Sequence, residues 1–415
     1  MQPTRQTISL PDGRTIIIET GKLAKQAHGA VTITLGDTML LATVVAKETS
    51  EKLDFLPLYV DYQEKFAAAG KIPGGFLRRE GRLGDHEILI SRLVDRAIRP
   101  LFPKDLNAEV QVNISLISLD EAVPPDALAA LAASAALTVS GIPFGGPLSE
   151  VRVARIAGQF RINPTPKDLE QADMDMMVGA TAENILMVEG EMQEVQEEDM
   201  IAAMKAAHEA IKVQCQAQSL LTQALAQEIP QHAITAPQQE DEALERAIHE
   251  ALYDKLYAVA KQGIASKKQR KEAFKAVKQA HLATYPEDAD LGLVERYIGA
   301  VEKKAVRDLA LNEKTRLDGR KLDEVRTIWS EASYLPAAHG SALFTRGETQ
   351  SLTTVTLGSK LDEQIIDRAM FSGYNRFMLH YNFPAFSTGE VKPNRGPSRR
   401  EIGHGNLAMR ALTQV

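Results

Sequence analysis

A chain of 415 residues is too long for a single hydrophobic core, so roughly two to four domains are expected. With 44% hydrophobic and 25% charged residues it has the balance of a soluble globular protein, and no window approaches the ~18 consecutive apolar residues of a membrane span. The net charge of −7 excludes a surface that coats nucleic acid indiscriminately but leaves room for a local basic patch. Cys215 is the only cysteine, which excludes an intrachain disulfide. With no signal-like apolar stretch at the N-terminus, the expected location is the cytoplasm.

Residues 4–62 read as strands. ISLPDGRTIIIETG alternates about Asp12-Gly13, a hairpin signal, and AVTITLGDTMLLATVVA gives two β-rich runs broken at Gly36-Asp37. Residues 63–84 read as a loop. HEILISRLVDRAIRPLF has helical spacing and ends near Pro100, EVQVNISLISLD is a strand, and ALAALAASAALTVSG is a buried helix closed by Gly141 and Pro143. Residues 150–192 suggest further strands, followed by the long helix EEDMIAAMKAAHEAIKVQCQAQSLL. From Gln214 to Asn312 strand signals fade and amphipathic helices dominate, including ALERAIHEALYDKLYAVAKQGI and KEAFKAVKQAHLATY. Within them Lys267, Lys268, Arg270 and Lys271 form a basic run, which reads as a solvated helix start or as an RNA contact. Strands return after Asp318-Gly319.

An internal repeat organises the chain. HGAVTITLGDTMLLATVV starts at His28 and HGSALFTRGETQSLTTVT at His339, each with His-Gly, a strand, Gly-acid-Thr and a second strand. RREGRLGDHEILISRL from Arg78 is echoed by RREIGHGNLAMRAL from Arg399. Matches this long and in the same order indicate a duplicated domain rather than a solenoid. The second copy is expected to be truncated, since it reaches Val415 inside a helix without a stop signal. Such a half-sheet would expose an edge and an apolar face.

Two segments carry candidate chemistry. KIPGGFLRREGRLG, residues 71–84, has Gly74 and Gly75 for a tight loop, Phe76 to stack on a base, and Arg78, Arg79 and Arg82 to bind phosphates through planar, two-pronged donors. The alternative is a solvent-facing loop whose arginines pair with Glu80 and Asp85. NRGPSRREIGHGNLAMR, residues 394–410, carries Arg395, Arg399, Arg400, His404 and Arg410. Arg400 and His404 share a helix face at i, i+4, and Ser398 is placed to cap that helix, so its N-terminus could face an anion. The alternative is a surface network with Glu401. No GxxxxGK[ST] loop is present, and His380 reads as a packed strand histidine. Asp37 and Glu348 read as turn residues. Cys215 reads as a buried, small apolar side chain.

These motifs resemble the polynucleotide phosphorylase (polyribonucleotide nucleotidyltransferase) family. DYQEKFAAAGKIPGGFLRREGR and EILISRLVDRAIRPLFP resemble its first ribonuclease-PH-like core. TRLDGRKLDEVR resembles the approach to the second, and SALFTRGETQSLTTVTLG, FMLHYNFPAFSTGE and SRREIGHGNLAMRAL resemble that core itself. The resemblance implies an α/β (α+β) fold. It has duplicated ribonuclease-PH-like cores (ribosomal protein S5 domain 2-like) and an all-helical domain between them. The expected divisions are 1–145 and 146–213 for the two halves of the first core, 214–312 for the helical domain, and 313–415 for the second core. The implied activity is phosphorolytic 3′-to-5′ exoribonuclease action in mRNA degradation, with inorganic phosphate releasing nucleoside diphosphates, and the reverse polymerisation.

The resemblance further implies that Arg78 and Arg79, extended here to Arg82, contact single-stranded RNA. It implies that Arg399, Arg400 and His404 lie near the phosphate and the RNA 3′ end. Mg2+ is the implied cofactor, with its aspartate ligands beyond Val415, so the isolated chain is expected to be inactive. A homotrimer around an RNA channel and RNA degradosome partners are also implied, and no membrane. The chain departs from many members at Leu83-Gly84 (Pro-Ser), Ala97 (Pro) and Asn406 (Arg). The competing readings are a catalytically inactive RNA-binding or assembly fragment, and an enzyme whose anion site is unrelated to RNA.

Overall fold

The computed structural model describes residues 3–49, 55–74, 76–104, 106–226, 229, 241–286, 291–393 and 395–414. Strands β1 (Thr4–Ser9) and β2 (Thr15–Thr20) form the hairpin signalled by Asp12-Gly13. Gly13 takes φ +87°, and the Asp12 carboxylate accepts the Arg14 N–H at 3.0 Å. Strands β3 (Gly29–Leu35) and β4 (Thr38–Glu48) turn through Gly36 at φ +59°. Strand β5 (Leu58–Glu64) leads to helix α1 (Asp85–Ile98), and β6 (Ala108–Ser118) returns parallel to β5. The six strands lie in the order β1-β2-β3-β4-β6-β5. Strict alternation decides the faces. Val110, Val112, Ile114 and Leu116 of β6 are buried, whereas Asn113 and Ser115 point to the open face, opposite Asp61 and Gln63 of β5.

Helix α2 (Ala129–Thr138) is buried along nearly its whole length, which is why its sequence is mostly alanine. Its backbone comes so near β3 that a Cβ on Gly29 would stand 2.1 Å from the Ala136 carbonyl oxygen. A second sheet comprises β7 (Leu148–Ile156), β8 (Gln159–Ile162), β9 (Met174–Thr181) and β10 (Ile185–Met192), in the order β10-β9-β7-β8, with the short helix α3 (Pro166–Leu169) after β8. Helix α4 (Glu197–Ala224) covers it with Ala203, Ala207, Ile211 and Cys215. Beyond residue 213 the same helix continues to be held by buried amides. Ser149 donates to Gln214 at 2.6 Å, Ser134 donates to Gln218 at 2.8 Å, and Gln218 donates to the Leu148 carbonyl at 2.8 Å.

The described residues fall into two units, divided at Gln238 and Ser359. The unit from Gln238 to Ser359 holds α5 (Glu242–Lys261), α6 (Lys267–Leu282) and α7 (Gly292–Asn312), and strands β11 (Ile328–Ala332), β12 (Gly340–Arg346) and β13 (Thr349–Val355). Its helices enclose Leu252, Leu256, Phe274, Tyr297 and Val301. Asp241 and Ser266 cap α5 and α6 by accepting N–H groups of Leu244 and Gln269. Beyond Ser359, β14 (Gln364–Asp367), β15 (Ser372–Asn375) and helix α8 (Arg399–Leu412) belong to the other unit.

The duplication is present in the backbone bonds. The His28 ring accepts the Ala46 N–H at 3.0 Å, and the His339 ring accepts the Leu357 N–H at 3.0 Å. Gly29 faces Val44 as Gly340 faces Val355, and Gly347 repeats Gly36 at φ +62°. Burial differs between the copies. Val31, Ile33, Leu40 and Ala42 of the first hairpin are buried. No residue of β11, β12 or β13 is buried, and Ile328, Trp329, Phe344 and Leu352 are exposed.

Candidate functional site

The loop after β5 begins with a 3₁₀ turn, Phe66–Ala69, closed by Gly70 at φ +65°. It then presents Phe76, fully exposed at 100%, with Leu77, Arg78, Arg79 and Arg82 also exposed. Gly75 lies outside the described residues. Arg78 holds φ +48°, a left-handed backbone that costs a non-glycine residue about 1 kcal/mol. The pairing of these arginines with Glu80 and Asp85, the alternative left open by the sequence, is not made. Glu80 instead accepts the Phe66 N–H at 3.0 Å and pairs with Lys65 at 3.4 Å, and Asp85 begins α1. Among the described residues Arg78, Arg79 and Arg82 have no ion-pair or hydrogen-bond partner.

Helix α8 carries the second cluster. Ser398 accepts the Glu401 N–H at 3.3 Å, and the Glu401 carboxylate accepts the N–H groups of Ser398 and Phe383, each at 2.7 Å. The backbone donor at Ser398, then that at Phe383, hold the Glu401 carboxyl below its ordinary pKa. Glu401 is thus occupied by the cap and is not the partner of the neighbouring arginines. Arg399 donates to the Val60 carbonyl at 2.6 Å and to the Asp61 carboxylate. The Arg400 guanidinium lies over the Phe383 ring, 5.5 Å from its centroid. The His404 Nδ1 is 3.4 Å from the Tyr381 hydroxyl, and the two rings meet edge to face at 5.4 Å. At the other end of the helix, Arg410 pairs with Glu189 at 3.3 Å and Glu191 at 3.1 Å. Glu189 also binds Arg96 of α1 at 2.7 Å. Gly403 permits the close approach of α1, since a Cβ there would be 2.4 Å from the Arg92 Nε. Asn394 lies outside the described residues.

A cleft of 1170 Å³ joins the two segments within this unit. Its floor is the open sheet face, with Asp61, Gln63, Asn113 and Ser115, and Arg82, Arg395 and Arg399 stand in its wall. Three guanidiniums, of which Arg399 is already paired with Asp61, stand above a polar floor that suits a phosphate-bearing chain with polar edges. Arg78 and Arg79 stand on the exposed loop outside this lining. Arg400 and His404 face the aromatic pair Tyr381 and Phe383, whose rings stack at 6.4 Å. Sequence reasoning missed the floor residues because alternate polar positions in a strand are what any half-exposed sheet shows.

The structure revises the register of the second repeat. Helices α1 and α8 both span 14 residues. Glu87 accepts the N–H of Gly84 at 2.7 Å and of Glu64 at 2.8 Å, as Glu401 does from Ser398 and Phe383. The equivalent of Arg399-Arg400-Glu401 is therefore Asp85-His86-Glu87, not the literal echo at Arg78, and His404 corresponds to Ile90. The two arginine clusters are complementary rather than duplicate: one precedes its helix and the other lies within it.

The remaining candidates are inert or peripheral. Burial pushes the Cys215 thiol up to about 12, so it is no nucleophile at neutral pH. His380 is exposed and outside any strand, contrary to its reading as a packed strand residue. Asp37 and Glu348 lie in turns, as read. Among the described residues no three or more His, Cys, Asp or Glu side chains are grouped to hold a metal ion.

The 3′ exoribonuclease family, domain 1, matches residues 12–143 and again 324–415. Domain 2 of that family matches 146–210. The polyribonucleotide nucleotidyltransferase RNA binding domain matches 225–321. Polyribonucleotide nucleotidyltransferase of Amoebophilus asiaticus is 65% identical over 99% of this chain and 58% of its own length. The enzyme of the same name from Cytophaga hutchinsonii is 60% identical over 99% of this chain and 57% of its own. That of Bacteroides fragilis is 58% identical over 100% and 59%. The chain thus spans somewhat over half the length of these relatives. Among solved structures, rice Rrp46 aligns with 54% of this chain and 93% of its own, at 15% identity and a TM-score of 0.39.

Proposed function

The chain belongs to the 3′ exoribonuclease family, and on that basis we propose that it is the RNA- and phosphate-holding part of a phosphorolytic exoribonuclease acting in mRNA degradation. In that reaction an oxygen of inorganic phosphate forms a bond to the phosphorus of the 3′-terminal phosphodiester. The bond from phosphorus to the O3′ of the preceding nucleotide breaks, that oxygen takes up a proton, and a nucleoside diphosphate leaves. The reverse reaction extends RNA without a template. Arg78, Arg79 and Arg82 would hold the RNA backbone. Arg399, Arg400 and His404 would serve the phosphate and the RNA 3′ end.

The observation that carries this reading is the cleft that draws Arg82 of one copy and Arg395 and Arg399 of the other into one wall. Guanidiniums gathered there would offset the charge of phosphate meeting a phosphodiester. Mg2+ is the expected divalent ion of the reaction. Among the described residues no three or more His, Cys, Asp or Glu side chains are grouped to hold it, and no step here depends on it. A homotrimer around the RNA, partners in an RNA degradosome and a cytoplasmic location complete the proposal. Among the described residues no helix is long and apolar enough to cross a membrane.

The second reading is a catalytically inactive RNA-binding or assembly fragment. Incubation with poly(A), phosphate and Mg2+ separates the two. The expected result for the 415-residue chain is bound RNA without ADP. Phosphate-dependent ADP release would show that it is active by itself.

A further inference from the structure

Three cations and two acids line the cleft, Arg82, Arg395 and Arg399 beside Asp61 and Asp85. They are not used alike. Arg82, Arg395 and Asp85 are exposed and, among the described residues, make no ion pair or hydrogen bond. Arg399 is engaged, through Nη1 with the Val60 carbonyl at 2.6 Å and through Nη2 with the Asp61 carboxylate. Asp61 in turn has no second partner among the described residues. Neighbouring carboxylates are tied to the backbone instead, Glu80 to the Phe66 N–H and Glu87 to the N–H groups of Gly84 and Glu64.

The contact is open to replacement. The Arg399 side chain is 45% exposed and that of Asp61 31%, so dissolved ions reach both, and a pair as open as this stabilises little. Losing Asp61 does not release Arg399, because the Val60 carbonyl keeps its hold on Nη1 and leaves Nη2 for another acceptor. A phosphodiester oxygen has the charge and the geometry to take that place. Nor is the pair a by-product of the duplication. Glu64 and Phe383 both donate to a helix-capping glutamate and so correspond. Three residues before them, His380 stands where Asp61 does, and Asp85 stands where Arg399 does. Among the described residues that mirrored pair is not made, and His380 is exposed. The acid is set only against the arginine of α8.

We propose that Asp61 is an internal counter-anion, which holds Arg399 in the free chain and yields it to a backbone phosphate of the RNA. The inference rests on the RNA reading above and adds to it a residue that regulates the grip of the same site. A phosphate that displaces Asp61 from Arg399 leaves one bare anion for the one it pairs, so this contact adds almost nothing to the net charge neutralised. Arg82 and Arg395, with no internal partner to displace, each neutralise a phosphate outright. A cleft built in this way holds the strand without locking it. That suits an enzyme whose substrate must advance by one nucleotide after each cleavage.

The test is fluorescence anisotropy of a labelled oligo(U) with the full chain over a range of salt. Asp61→Asn keeps the size of the side chain and an oxygen to accept from Arg399, and removes the charge. Asp61→Ser removes the charge through a second side chain. Asp85→Asn removes an acid of the same lining that engages no arginine. In the Asp61 variants Arg399 becomes a full phosphate contact, so the slope of log K against log salt should steepen by about 0.7. Over the decade from about 1 M to about 0.1 M salt that is a roughly fivefold gain in affinity at the lower salt. The slope of Asp85→Asn should match the parent's. Unchanged or weaker binding in both Asp61 variants, beside RNA binding by the parent, would overturn the inference and leave the RNA reading standing. An equal steepening in Asp85→Asn would overturn it too, since any acid near the strand would then act alike. No RNA binding by the unaltered chain would overturn both.

Discussion

Gly29→Val is expected to destabilise the unit built on β3 and α2 by about 3 kcal/mol, while the equivalent Gly340→Val changes stability by less than about 0.5 kcal/mol. The two glycines occupy the same place in the repeat, and both open a strand, where valine is otherwise favoured. Their surroundings differ. A Cβ at Gly29 would meet the Ala136 carbonyl oxygen at 2.1 Å and the Ser140 Cβ at 2.8 Å, and neither can move without shifting α2. At Gly340 the nearest atom is the Val355 Cβ at 3.5 Å, an ordinary contact. Urea unfolding of the two variants against the parent checks the difference. A tolerated Gly29→Val with a damaging Gly340→Val would mean that the helix contact does not set this position.

Removing the first arginine cluster should have the largest effect on binding. With Arg78, Arg79 and Arg82 all replaced by alanine, affinity for single-stranded RNA is expected to fall, and the salt slope to become shallower by about 2, from three contacts at about 0.7 each. Stability should be nearly unaffected, because these side chains have no ion-pair or hydrogen-bond partner among the described residues and are exposed. Arg78 adds a detail, since its φ of +48° is a conformation alanine also dislikes, so its backbone position is not relaxed by the change. Binding measured from low to moderate salt, with poly(A) and poly(U) alike, provides the check. An unchanged slope would assign the loop to another anion or to none.

Much of the fold could be read from local signals. Asp12-Gly13 and Gly36-Asp37 specify turns by backbone chemistry, and the alanine run of α2 announces a helix buried on all sides. The duplication was legible because the His-Gly and Gly-acid-Thr positions are fixed by geometry: a ring accepting an N–H 18 residues on and a left-handed glycine. The arginine echo misled in register. The string Arg-Arg-Glu recurs, but the position that matters is the glutamate that caps its own helix, and in the first copy that is Glu87 rather than Glu80. A glycine in place of serine at the cap hid this from the sequence. Near the site, the arginines were visible by type alone. Asp61 was not, because its role depends on α8 returning more than 300 residues later to place Arg399 against it.

The arrangement of α8 also explains how Arg400 and His404 are held. Arg399 fixes the start of the helix to β5, and Arg410 fixes its end to β10. Each of these ion pairs is partly exposed and worth only about 0.2–1 kcal/mol, so together they orient the helix more than they stabilise the unit. The side chains between them are then presented beside Tyr381 and Phe383 with little freedom to swing away.

On the proposed function, one RNA strand meets both copies, its 3′ end at α8 and its preceding nucleotides at the arginine loop. Photocrosslinking with an oligonucleotide bearing 4-thiouridine at either the 3′-terminal or an internal position tests it directly. The terminal label is expected to attach to peptides from residues 377–410 and the internal label to peptides from residues 72–92. Terminal labels found only on the arginine loop, or an absence of crosslinks to α8 from RNA that is demonstrably bound, would contradict it.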